Sequence, residues 1–99
     1  RVVSRVWANR DMNDLRKLAM RLTDEPKIVV LLGGAGTKSN LVFARSNDVE
    51  HDMKSLLLVA LKMLGSEKGG GDQRFAQGGG IPASVEQIEK AIDQVKKNL

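Results

Sequence analysis

The 99-residue chain has no cysteine, so a disulfide framework, a thiolate metal site and a cysteine nucleophile are all excluded. One histidine and no tyrosine remove any histidine-rich metal centre. Aromatics are scarce: Trp7, Phe43 and Phe75 are the whole set, too few for a broad base-stacking platform. No apolar run approaches the roughly 18 residues that cross a bilayer, and no leader pattern marks a secretory signal. Neither sign of charge dominates, since sixteen Lys and Arg against twelve Asp and Glu leave +4. The excess lies in residues 1–50, with nine basic and six acidic side chains, against seven and six in 51–99. Such a balance favours a polyanionic partner without specifying one. The first residue is Arg1 in strand-like sequence, and the expectation is a piece cut from a longer cytoplasmic protein.

What is present reads as one α/β domain with a single core. Residues 2–8 are β-branched and aromatic, which predicts a strand. Asp11 then precedes a helical stripe of Met12, Leu15, Leu18, Ala19 and Leu22, and the segment from Thr23 to Pro26 stops it. Five consecutive apolar residues, Ile28 to Leu32, suit a strand buried on both faces. Gly33 to Asn40 is expected to form a turn and Leu41–Arg45 an antiparallel return strand. The first two strands should lie parallel across the first helix.

Asn47, with Glu50 three residues on, predicts the start of a second helix through Met53, Leu56, Leu57, Ala60, Leu61 and Leu64, closed by Gly65. Its residues 56–61 are apolar almost all round, so this helix should be the most buried. Ser84 with Gln87 has capping-box spacing for a last helix striped by Val85, Ile88, Ala91 or Ile92, Val95 and Leu99. The predicted architecture is a mixed β-sheet with about three helices, in the order β-α-β-β-α-(β)-α.

The informative stretch is residues 66–82. Six of the ten glycines fall there, as Gly69, Gly70, Gly71 and Gly78, Gly79, Gly80, around a core of Asp72 to Gln77. Glycine triplets let another molecule approach without a Cβ in the way, and loops of this kind can gather N–H groups around an anion. Lys68 and Arg74 would add charge and fork geometry.

The run of residues 68–80, Lys-Gly-Gly-Gly-Asp-Gln-Arg-Phe-Ala-Gln-Gly-Gly-Gly, resembles the glycine-rich signature of the DHH-associated domain. More narrowly it is similar to the version at the C-terminus of alanyl-tRNA synthetases and of AlaX-type alanyl-tRNA editing proteins. The order of elements and the segment Asp11-Met12-Asn13-Asp14-Leu15 extend the likeness over residues 1–99. Phosphoesterase relatives carry a histidine directly after the glycine triplet, where this chain has Asp72, and that favours the synthetase and editing branch.

The resemblance implies a nucleic-acid-binding appendage that, in synthetases, holds the outer corner of tRNA and helps couple aminoacylation to editing. It implies as binding residues Lys68, Gly69, Gly70, Gly71, Arg74, Gln77, Gly78 and Gly79, with Gln77 reaching a base edge or closing the loop. The implied partners are tRNA, in particular alanine tRNA, and the N-terminal catalytic domain of a parent chain. A homo-oligomer is left open. Editing enzymes of this kind hold zinc through His-x-x-x-His with a further Cys and His, a set this chain lacks. The chain itself is therefore expected to hold no cofactor and to be catalytically inert. Zinc, and ATP in a full synthetase, would belong to the parent. The alternative is the substrate-phosphate-binding lobe of a DHH-type phosphoesterase, and a third reading is a purely structural module.

Other candidates are weaker. Gly33 to Lys38 lacks the spacing of a phosphate-binding loop. Asp48, Glu50, His51 and Asp52 read as an acidic first helical turn rather than a metal site. Arg1, Arg5, Arg10, Arg16, Lys17 and Arg21 concentrate charge in the first strand and helix, as the solvated face of an amphipathic helix or a face for tRNA. Arg10, Lys17 and Arg21 would share a face if the helix reached back to Arg10. Met12 and Met53 read as core and Trp7 as core or an interface with a further domain, whereas Met20 and Met63 lie off the stripes and are free to face a partner.

Overall fold

The computed structural model describes residues 1–99. Strand β1 (Val2–Ala8) is followed by helix α1 (Met12–Leu22), β2 (Val29–Ala35), β3 (Asn40–Arg45) and helix α2 (Met53–Leu64). A hairpin of β4 (Gly69–Gly71) and β5 (Phe75–Gly79) then leads into helix α3 (Val85–Lys96). The five strands form one mixed sheet in the order β1-β2-β3-β5-β4. β1 and β2 are parallel across α1, and the remaining pairs are antiparallel. The α/β class, the three helices and the mixed sheet are those predicted, and no helix is long and apolar enough to cross a membrane.

Alternation along the strands builds two cores. On one face Leu31, Leu41, Phe43 and Ala76 pack beneath α2 and α3, through Leu57, Leu61, Ile88 and Ile92. On the other, Val30, Leu32, Val42 and Ala44 lie under Leu15 and Ala19 of α1, with half-buried Met12, Leu18 and Leu22 at the margin. β2 is buried on both faces, as its unbroken apolar run requires. Asp11 caps α1 by accepting the Asp14 N–H at 2.8 Å, and Ser84 and Gln87 form both halves of a capping box on α3. Gly65, at φ 82°, ends α2 in the left-handed conformation.

Four expectations need correction. First, β2 continues through Gly33, Gly34 and Ala35 instead of turning at Gly33. The glycines are needed inside the strand because a Cβ at Gly34 would stand 2.4 Å from the Arg10 carbonyl, and one at Gly33 2.6 Å from Ile88. Second, α2 starts at Met53 with Asp52 as its cap, not at Asn47. The Asp48 carboxylate accepts the Lys27 N–H at 2.9 Å and the Ser46 hydroxyl at 2.5 Å, which holds this stretch as a turn. Third, α2 is not buried all round: Leu58, Val59 and Met63 are 44%, 39% and 52% exposed. Fourth, the glycine-rich segment, where one optional strand and a loop were expected, is a two-stranded β-hairpin within the sheet.

Candidate functional site

The hairpin is positioned by β5, which pairs along β3 from Phe75↔Ala44 to Gly79↔Asn40. β4 lies outside it as the sheet edge, with Gly70 opposite Gln77. The turn between them is held by Asp72, whose carboxylate accepts the Arg74 N–H at 2.8 Å and the Phe75 N–H at 3.0 Å. These two bonds, the Arg74 amide first, draw the Asp72 carboxyl below its ordinary value. Asp72 therefore closes a turn. Much of the hairpin backbone is likewise engaged: the Gly79 N–H donates to the Lys68 carbonyl and the Gly80 N–H to that of Ser39. The expected cluster of free amides is thus reduced to the outer edge of β4, where alternate residues face away from β5.

The site arises from incomplete coverage of the sheet. α1 packs on β2 and β3, and its backbone comes close to neither β5 nor β4. Register puts Phe75 and Gln77 on the same side as Ala44 and Val42, the α1 side. An open groove of about 670 Å³ remains there. Its floor and outer edge are Gly69, Gly70, Gly71, Gln77 and Gly78, its apolar wall is Met12 and Phe75, and its cations are Arg16 of α1 and Lys68 at the head of β4. No carboxylate lines it. The chain's two ion pairs, Arg1 with Glu25 and Lys96 with Asp93, lie elsewhere and leave both groove cations unpaired.

Six of the residues predicted from sequence line this groove: Lys68, Gly69, Gly70, Gly71, Gln77 and Gly78. Arg74 and Gly79 do not. Arg74 sits in the hairpin turn, about four extended residues or roughly 13 Å beyond Lys68, and its Nη1 donates to Asn47 Oδ1 at 2.6 Å. Beside it Arg45 Nε donates to the carbonyls of His51 at 2.7 Å and Gln73 at 3.2 Å, which ties the turn to the β3–α2 connection. Gly79 is buried, with its φ at 134°. Arg16 was missed. The available signal was its place four residues after Met12 on the helical repeat, at the border of the apolar stripe.

The weaker candidates fall elsewhere. The Gly36–Ser39 stretch forms the β2–β3 turn, with Lys38 exposed. α1 does not reach back to Arg10, whose guanidinium instead stacks over half-buried Trp7 at 4.7 Å from the ring centre. Met20 is 59% exposed on α1. His51 stands exposed ahead of α2, and no three His, Asp or Glu side chains converge.

No family model matches the chain, and neither does any curated protein. Among solved structures the chain is similar to the C-Ala domain of the alanyl-tRNA synthetase from Aquifex aeolicus, with a TM-score of 0.84 and 27% identity. That likeness covers 97% of this chain and 87% of the other. A second likeness, to an uncharacterized protein from Helicobacter pylori G27, has a TM-score of 0.54 and 18% identity over 96% of this chain, and concerns the fold alone. This chain spans about a quarter (26%) of that protein.

Proposed function

We propose that this chain is a tRNA-binding accessory domain of an alanyl-tRNA synthetase or of an AlaX-type editing protein, and that it is of the DHH-associated type. The observation that carries the reading is the similarity to the C-Ala domain over almost the whole chain. The groove agrees with it, being open, without acids and flanked by two unpaired cations. Its work is positioning: Lys68 and Arg16 hold phosphate, Gln77 offers an amide to a base edge or ribose, and the glycine floor admits the backbone closely. Alanine tRNA is the proposed partner, together with a catalytic domain elsewhere in a parent chain. Zinc, and ATP where the parent is a synthetase, belong in this reading to other domains.

Fluorescence anisotropy with an alanine tRNA transcript tests it. Lys68→Ala should weaken binding several-fold and lower the salt slope by about one. Arg74→Ala, engaged with Asn47 away from the groove, should change affinity less. Equal losses from the two variants would move the site to the hairpin tip. Competition by a mononucleotide would instead favour the phosphate-clamping lobe of a DHH-type phosphoesterase.

A further inference from the structure

We infer that Gly70 is the contact point of the groove and Arg16 its second phosphate clamp. The ligand is then single-stranded or sharply turned RNA whose backbone crosses Gly70 between Lys68 and Arg16. This rests on the tRNA-binding reading above and deepens it by singling out Gly70 among the floor glycines and by stating the form of the nucleic acid.

Gly70 is set apart by exclusion. Of the ten glycines, five have φ between 82° and 147°. Four more would place a Cβ within 2.6 Å of another atom. Only Gly70 has an ordinary backbone conformation and nothing within 4 Å of a built Cβ. Glycine weakens a strand by its extra unfolded-state freedom, and here no fold requirement offsets that. What the missing side chain leaves open is the groove floor, between Lys68 and Gln77.

Arg16 answers Lys68 from the opposite wall. Its side chain is exposed and free of carboxylates, and the neighbouring Met12 and Phe75 provide an apolar surface beside it. Its planar fork suits a phosphate approached along the helix flank. The wall formed by α1 also selects among nucleic acids. A duplex carries its phosphates on a convex cylinder that the wall holds away from the floor. A single strand, or the bent backbone where folded RNA turns a corner, can enter.

The test uses the 99-residue chain with three probes: alanine tRNA transcript, a single-stranded oligonucleotide and a blunt RNA duplex. Gly70→Val and Gly70→Ala should unfold in urea at or above the parental midpoint, yet Gly70→Val should bind tRNA at least tenfold more weakly and Gly70→Ala by less. Arg16→Ala should weaken binding several-fold and lower the salt slope by about one, matching Lys68→Ala. The single strand should compete with tRNA better than the duplex. Parental affinity in Gly70→Val or Arg16→Ala, alongside a weakened Lys68→Ala, would overturn the inference while sparing the tRNA reading. A preference for duplex would also overturn it. Failure of the parental chain to bind tRNA would overturn both.

Discussion

Asp48 and Asp72 are exposed carboxylates doing local structural work. Each accepts backbone amides across a turn, and Asp48 also accepts the Ser46 hydroxyl. Both are drawn below the ordinary aspartate value, Asp48 mainly by Ser46 and Asp72 mainly by the Arg74 amide. Their folded values lie under their unfolded ones, so the stability they add is complete above the ordinary value of 3.8. It is lost as pH falls below that value through the folded ones. Urea midpoints between pH 5 and pH 2 should therefore fall less steeply for Asp48→Asn/Asp72→Asn than for the parental chain. Equal slopes would mean that other carboxylates set the acid limb. Neither role was legible in the sequence. Asp72 stood out only as the residue in a relative's histidine position, and Asp48 as one acid in a helix start. A turn cap is chosen by which amides point at the carboxylate, and that depends on tertiary placement.

At the scale of elements, periodicity was a sound guide wherever a single neighbour decided the outcome. The apolar stripes of α1 and α3 and the unbroken run of β2 lie where their patterns put them. α2 shows the limit. Its run from Leu56 to Leu61 suggests burial on every side, but the helix has only the sheet beneath it and α3 beside it. Leu57 is fully buried while the adjacent Leu58 is 44% exposed. Leu57→Ala should cost about 2–5 kcal/mol and Leu58→Ala about 0.5 kcal/mol or less, as measured by urea denaturation of each variant. Comparable losses would show that the outer face of α2 is covered in solution. The false helix start at Asn47 has a related cause. Asn47 and Glu50 have capping-box spacing, but Asn47 is engaged by Arg74, and Asp52 supplies the cap through the amides of Lys54 and Ser55.

At the scale of the molecule, the groove is a product of strand order. Two helices cover one face of five strands, whereas the single helix on the other face spans only β2 and β3. Because β5 inserts between β3 and β4, the hairpin becomes the uncovered margin, with β4 bonded on one side only. The residue types of the site were readable from the glycine signature. Its second wall was not, since Arg16 and Lys68 are brought together only once α1 and the hairpin share a sheet face. The same topology sets a gradient of stability. β2 and β3 are paired on both edges and buried on both faces, so their amides should open only with the whole domain. β4 is three glycines at a free edge and should open locally. Hydrogen exchange of the free chain should therefore be much faster at Gly70 than at Leu31 or Val42. Added alanine tRNA should slow exchange in β4 and β5 more than in β2 and β3. Uniform slowing would report stabilisation of the whole fold by a ligand bound elsewhere, whereas slowing confined to the hairpin would place the ligand against the glycine edge.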